Sequence, residues 1–207
     1  MKVDYSLISN NANKVAVAVS GGSDSIALLF HAVNNLKCKT ILALNVEHGI
    51  RGEESLLDSK FVASQCKALS VPLLTYSIDC VKEAKKQKLS IEQVARKLRY
   101  ECFYDALSKG KCDKIATAHH NDDNVESVLF NLFRGTGIKG LTGIKENYEN
   151  KIIRPFLSVK KAEIAKYVEE NAIPFVTDST NLSDEYTRNF LRLNVIPKIR
   201  EVFPDFD

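Results

Sequence analysis

Three serines, two glycines and an aspartate stand together at Ser20-Gly21-Gly22-Ser23-Asp24-Ser25, and that mixture suits the capture of a phosphate. Gly21 and Gly22 let backbone amides approach an anion with no Cβ in the way, while Ser20, Ser23 and Ser25 add hydroxyl donors. The stretch lacks the lysine and spacing of a G-x-x-x-x-G-K-[ST] loop and the third glycine of G-x-G-x-x-G, so neither a kinase-like nor a dinucleotide-binding reading follows. The plainer alternative is an ordinary Ser/Gly/Asp turn. Its place between an apolar strand and an apolar helix favours phosphate. Asp24 would repel that ligand unless it also held Mg²⁺.

A second concentration of chemistry lies at His119-His120-Asn121-Asp122-Asp123-Asn124-Val125-Glu126. Asp123 and Glu126 are three apart and share one helix face, where they could hold Mg²⁺ or receive an ammonium group. Helix capping by Asp122 or Asp123 is the bland account, and it can apply to one without excluding the other. His119 and His120 raise the question of zinc, but no cysteine is near and only His31 and His48 remain elsewhere, so contact with a phosphate or a base is expected instead. Arg96 and Arg99, three apart, and Arg188 and Arg192, four apart, form two further pairs able to neutralise polyphosphate or an RNA backbone. Exposed arginines that serve only solubility are the competing reading.

Elements must bring these residues to one place. Residues 14–19 are a short valine-rich run ending in the glycine pair, which reads as a buried strand; Ile26, Ala27, Leu28, Leu29, Phe30 and Val33 then recur at helical spacing. The alternation continues with strands at 40–46, 72–78 and 114–118 and helices at 53–69, up to 108, and 122–133. Ser90 followed by Gln93 is a capping-box signature that starts a helix near Ile91. Four glycines within residues 134–144 call for a loop; beyond it come a strand at 151–153 and helices at 159–171 and 185–199. Strands alternating with helices imply parallel crossovers that cover both faces of one sheet. Both the serine-rich loop and the acidic cluster then follow strands, and so meet at the carboxyl edge, where helix N-termini point outward.

With 207 residues and 44% hydrophobic composition, the chain can bury a sizeable core, and one domain with a short appendage is expected. Neither a leader-like start nor a long uninterrupted apolar run appears, so no membrane association and a cytoplasmic location are expected. Five scattered cysteines with no C-x-x-C pair argue against a disulfide framework, a zinc ribbon or a cysteine-held cluster, leaving them as small hydrophobes. Net charge is +3, yet residues 82–114 hold ten Lys or Arg against five Asp or Glu, which would suit RNA as well as a solvated helix face.

S-G-G-x-D-S after a first strand resembles the signature of the PP-loop ATP pyrophosphatases. The resemblance sharpens along the chain. Val46-Glu47-His48-Gly49-Ile50-Arg51, the stretch from Ile91 to Tyr100, the 116–126 cluster, Arg134-Gly135-Thr136-Gly137, Arg154-Pro155, Asp178-Ser179-Thr180-Asn181 and Arg188-Asn189-Phe190-Leu191-Arg192 are together similar to the tRNA(Ile)-lysidine synthase family, from about residue 14 to 197. The chain departs from the usual pattern at Glu47, Asn124 and Ser127, each keeping charge or hydrogen-bonding type.

That resemblance implies a doubly wound, mostly parallel α/β fold of the adenine nucleotide α-hydrolase type, with a five-stranded sheet and helices on both faces. It implies that ATP adenylates the wobble cytidine of a minor isoleucine tRNA, and that the side-chain amine of lysine then displaces AMP to give lysidine, a carbon–nitrogen ligation. Carried over residue by residue, it makes Asp24, Asp123, Glu126 and Arg99 catalytic. Ser20 to Ser25, Val46, His48, Arg51 and His119 would bind ATP, and Arg96, Arg99, Arg134, Arg188 and Arg192 lysine or tRNA. Asp24 and Asp123 would hold Mg²⁺. The implied partners are tRNA(Ile) with a CAU anticodon and free L-lysine, with homodimerisation left open. One PP-loop domain would span residues 1–207, its helical tail from about 185 opening a linker, without the C-terminal tRNA-selecting domains of many relatives. Two other readings stay open: another tRNA-modifying adenylase of thiolase type, and a non-catalytic nucleotide-binding module.

Overall fold

Alternation along Lys14–Ala18, strand β1, decides the architecture: Val15 and Val17 face one core and Ala16 the other, all fully buried. Period-two side-chain direction makes this split unavoidable for a strand covered on both sides. The computed structural model describes residues 1–9, 12–50, 52–177, 187–204 and 206. In chain order the elements are α1 (Ser6–Ser9), β1, α2 (Ser23–Asn35), β2 (Thr40–Glu47), α3 (Glu53–Ala68), β3 (Leu73–Ser77), α4 (Cys80–Gln87), α5 (Ile91–Ser108) and β4 (Lys114–Ala116). There follow α6 (Asn121–Phe133), α7 (Ile138–Leu141), β5 (Asn147–Tyr148), β6 (Ile152–Ile153), α8 (Lys161–Glu170), α9 (Thr187–Phe190), a π-helical turn at Leu191–Val195 and α10 (Ile196–Val202).

The strands form one sheet in the order β3-β2-β1-β4-β6-β5, parallel throughout except for the β5–β6 pair. Leu42 and Leu44 of β2, Ile115 of β4 and Ile152 of β6 join Ala16 under Phe103 and Ala106 of α5. Ala43, Ala116 and Ile153 face the opposite core with Leu28 and Leu29 of α2, Val62 of α3 and Ile164 of α8. Each buried Leu or Ile in these layers contributes about 1.5–3 kcal/mol of transfer free energy. Helices therefore cover both faces, and the doubly wound fold expected from the sequence stands.

Four expectations need correction. The sheet has six strands rather than five, because Asn147 and Tyr148 turn back antiparallel on β6 through Glu149 and Asn150, both at positive φ. The helical stretch ending at Ser108 holds a separate helix before the one expected from Ile91: α4 stops at Lys88, which is left-handed (φ 54), and α5 starts at Ile91 under the capping box of Ser90 and Gln93, as the sequence indicated. The helix expected at 159–171 is α8, beginning at Lys161. The last helix is broken into α9, the π-helical turn and α10, Pro197 sitting in the first turn of α10. Residues 185 and 186, Arg51 and the 178–181 motif fall outside the described residues. No helix of the described residues is long and apolar enough to cross a membrane.

Strand order places a switch between β1 and β4: from β1 the sheet runs to β2 and β3 on one side, and to β4, β6 and β5 on the other. Loops leaving the carboxyl ends of two such neighbours diverge, and the crevice between them is where open α/β sheets bind ligands.

Candidate active site

The turn after β1 is organised by its own hydroxyls. Ser20 N donates to Ser25 Oγ (3.1 Å), Ser25 Oγ donates to the Gly22 carbonyl (3.0 Å), and the Ser20 and Ser25 hydroxyls lie 3.2 Å apart. Gly21 has φ +97, and its carbonyl accepts from Val176 N at 2.9 Å. No side chain caps α2 at its N-cap Gly22, so the first-turn amides keep their donors and the positive end of the helix for an anion. Buried Asn45 braces the loop from below, donating to the Val19 carbonyl (2.8 Å) and accepting from Ser59 Oγ (3.2 Å).

Across the crevice, His120 caps α6: Nδ1 accepts from Asp123 N (3.4 Å), and Asp123 Oδ2 accepts from His120 N (3.1 Å). The capping account therefore applies to Asp123. With Nδ1 accepting, the buried imidazole turns Nε2 toward two carboxylates, 3.6 Å from Asp24 Oδ2 and 3.5 Å from Asp123 Oδ2. The serine-rich loop and the acidic cluster thus meet through one side chain. Burial alone would raise the Asp24 carboxyl, but the hydrogen bond from His120 and the ammonium of Lys161 outweigh it, and its pKa lies below the ordinary value. At Glu126, 5% exposed, burial prevails over the nearby guanidinium of Arg192 and lifts the pKa.

Cations arrive from the second half of the chain. Arg192 donates Nε to Glu126 Oε2 (2.8 Å) and Nη2 to Asp123 Oδ1 (3.2 Å). Arg200 donates to Asp122 Oδ1 at 2.7 Å. The Lys161 ammonium contacts Asp24 Oδ1 and lies 3.2 Å from Ser23 Oγ, while its backbone N donates to Asp122 Oδ2 (2.8 Å).

Together these walls enclose a cleft of about 880 Å³, within the usual range for a small-molecule site. Its far end is positive. Arg96 and Arg99 line it from α5, with Arg154 buried behind, donating Nη2 to Tyr100 Oη (3.1 Å) while its Nε has no partner. Burial, then the charges of Arg154, Arg96 and Arg99, hold the His119 pKa down at about 3; burial and Arg99 hold that of His48 at about 4. Both imidazoles are neutral at ordinary pH and offer lone pairs or N–H groups to a base or ribose.

Of the residues singled out in the sequence, Ser20, Gly22, Ser23, Asp24, Ser25, Val46, His48, Arg96, Arg99, His119, Asp123, Glu126 and Arg192 line this cleft. Gly21 turns its back to it: a Cβ there would meet Val62, Phe61 and Val176. Arg134 and Arg188 do not line it, their guanidinium carbons lying 5.2 and 5.1 Å from the centre of the Phe130 ring, though the charge of Arg188 still acts on Glu126. Glu47 lines the cleft too, but its carboxylate is committed to the turn after β2, accepting from Gly49 N (2.6 Å) and Ser77 Oγ (3.0 Å). Sequence reasoning gave no role to Lys161, Asn45 or Arg200, and it expected His120 to contact a phosphate or a base rather than to cap α6. Cysteines serve as expected: Cys66, Cys80, Cys102 and Cys112 are buried and Cys38 half-buried, all as free thiols.

The model of the PP-loop domain matches residues 2–199. The chain belongs to the PP-loop family. Its relatives include the tRNA(Ile)-lysidine synthase of Bacteroides thetaiotaomicron, 43% identical over 194 residues that make up 93% of this chain and 44% of that protein. That of Thermosipho africanus is 43% identical over 206 residues, 99% of this chain and 48% of the other. The chain thus spans about half the length of these relatives. Among solved structures, the U34-tRNA thiolase NcsA from Methanococcus maripaludis with its [4Fe-4S] cluster superposes with a TM-score of 0.78 at 17% identity, covering 96% of this chain and 70% of that one. At that identity the likeness speaks for the fold alone, and it agrees with the PP-loop assignment.

Proposed function

We propose that this PP-loop domain uses ATP to join free lysine to the wobble cytidine of an isoleucine tRNA with a CAU anticodon. One observation carries the reading: the uncapped start of α2 and the Asp123/Glu126 pair face one another across a single cleft, bridged by His120. The names of the relatives supply the substrate class.

In the first step the cytidine ring carbonyl oxygen attacks the α-phosphorus, and the bond to pyrophosphate breaks. The amides and hydroxyls of residues 20–25 suit the departing charge, since donors already fixed by the fold need no reorganisation. In the second step the lysine side-chain amine attacks the activated ring carbon and AMP leaves with the oxygen. Asp123 and Glu126 already hold one cationic nitrogen group, the Arg192 guanidinium. A pair that binds a guanidinium suits an alkylammonium, and the raised pKa of Glu126 suits it to take the proton that the attacking amine gives up.

For Mg²⁺ the donors fit in kind: Asp24 and Asp123 are carboxylates approaching one point, and Mg²⁺ entering with ATP needs only one or two of them beside phosphate oxygens and water. Among the described residues no group of three ligating side chains forms a ready-made cage. Bound there, the ion would neutralise phosphate charge. Arg96 and Arg99 at the positive end suit the tRNA backbone near the reacting base.

The test is incubation of the chain with ATP, Mg²⁺, radiolabelled lysine and the isoleucine tRNA. The expected outcome is AMP release that requires both substrates, with one lysine entering the RNA at the wobble position. Lysine-dependent AMP release without labelled RNA would overturn the reading.

A further inference from the structure

The phosphate-binding turn after β1 carries no lysine of its own between Ser20 and Ser25, yet a lysine stands at its mouth. Lys161 opens α8, some 137 positions from Asp24 in sequence, and the turn series after β6 delivers it. Leu157 N donates to the Arg154 carbonyl and Val159 N to that of Phe156, while Asn121 N at the start of α6 donates to the Val159 carbonyl (2.9 Å). The backbone N of Lys161 is then fixed on Asp122. From there its side chain reaches across the acidic cluster to Ser23 and Asp24. The side chain remains 43% exposed, so the ammonium borders the open cleft rather than being sealed beneath it.

We propose that Lys161 supplies the cation missing from the loop, its ammonium binding the pyrophosphate end of ATP beside the α2 amides. This rests on the ATP reading above and adds to it the residue that grips the leaving group. Three observations meet here. The ammonium is 3.2 Å from Ser23 Oγ, a hydroxyl of the loop itself. Its backbone is anchored independently of its charge, so the group can exchange partners without unfolding α8. Asp24, its present acceptor, also faces His120, so the carboxylate keeps a hydrogen-bonding partner when the ammonium turns to phosphate. A flexible point charge on a four-carbon stem suits that exchange better than a rigid guanidinium fork would.

A simpler account is that Lys161 only neutralises Asp24, and the experiment separates the two. Pyrophosphate, ATP and AMP binding are measured by calorimetry, with EDTA present, for the wild-type chain, Lys161→Met, Lys161→Arg, Asp24→Asn and the Asp24→Asn/Lys161→Met pair; thermal melting checks that each variant folds. Direct contact predicts that Lys161→Met weakens pyrophosphate and ATP about tenfold or more, as expected for losing a hydrogen bond to a charged group, and AMP less than about twofold. The loss should persist in the Asp24→Asn background, and Lys161→Arg should recover most of it. A loss seen only with Asp24 intact, or no loss at all, overturns the proposal and leaves the ATP reading standing. A wild-type chain that binds neither ATP nor pyrophosphate, with EDTA or with Mg²⁺ in its place, overturns both.

Discussion

Gly21 and Gly22 are adjacent, but the fold asks for glycine at only one of them. At Gly21 the backbone sits at φ +97, and a Cβ would lie 3.6 Å from Val62 and 3.8 Å from Phe61 and Val176: room exists, but an L-residue is strained. Alanine there costs about 1–2 kcal/mol, and for a chain of this size each kcal/mol moves Tm by about 2–4 °C, so Gly21→Ala should melt some 2–8 °C lower. Gly22 has φ −69, ψ 157, ordinary extended backbone, and its Cβ would meet only Ser20 Oγ at 3.6 Å. Nothing in the folded chain requires glycine there, and Gly22→Ala should gain about 0.4–1 kcal/mol by restricting the unfolded chain. Its methyl group, however, would stand where a phosphate must approach the loop amides. ATP affinity should therefore fall about tenfold or more, the worth of a lost hydrogen bond to a charged group, in a protein as stable as wild type. Calorimetry and ATP titration of the two variants decide the matter. If Gly22→Ala binds ATP as wild type does, no phosphate lies against that amide and the loop is a turn like any other.

Three further outcomes are expected. His48 and His119, held neutral with pKa values near 4 and 3, take up protons only on unfolding between those values and 6.5; stability should rise with pH across that window by up to about 1.4 kcal/mol per unit for each group. Urea titrations from pH 4 to 7 should show a flatter profile for the His48→Gln/His119→Gln variant, and an unchanged slope would contradict the shifts. Asn45→Ala strips the Val19 carbonyl of its buried partner and should cost about 1–3 kcal/mol, weakening ATP binding too because Val19 adjoins the loop. Ser90→Ala removes the capping box of α5 and should cost about 1 kcal/mol with ATP affinity intact, a loss of both marking α5 as coupled to the site.

What the sequence disclosed of the fold follows from period. Residues 14–18 and 40–47 are covered on both faces, so their apolar runs announce strands of a parallel sheet; β6 was expected at 151–153, but β5 is two residues long, too short to show any period, and the antiparallel edge was invisible for that reason. The start of α5 was legible in the Ser90/Gln93 capping box, but the end of α4 at a left-handed Lys88 was not, since a lysine gives no hint of that conformation. Pro197 was visible, but a proline is acceptable in a first helical turn, so it gave no sign of the π-helical turn before it.

In the site, everything local could be read: the loop hydroxyls, the Asp123/Glu126 spacing and the Arg96/Arg99 pair all depend on neighbours within one turn. What escaped is set by tertiary pairing. Four acids, Asp24, Asp122, Asp123 and Glu126, converge on one sheet edge, and carboxylates withdrawn from water must be matched by cations or protons. That requirement could have been drawn from the sequence, since both strand-to-helix junctions were already placed at the same edge. It demands cations without naming them, and 29 lysines and arginines were available. The fold selects Lys161, Arg192 and Arg200, two of the three from residues past 187, by where α8, the π-helical turn and α10 lie. The acid cluster and the chain's last helices are therefore one electrostatic unit: a change at Arg192 or Arg200 leaves a partly buried carboxylate unmatched, and should disturb the cleft though it lies some 70 residues away in sequence.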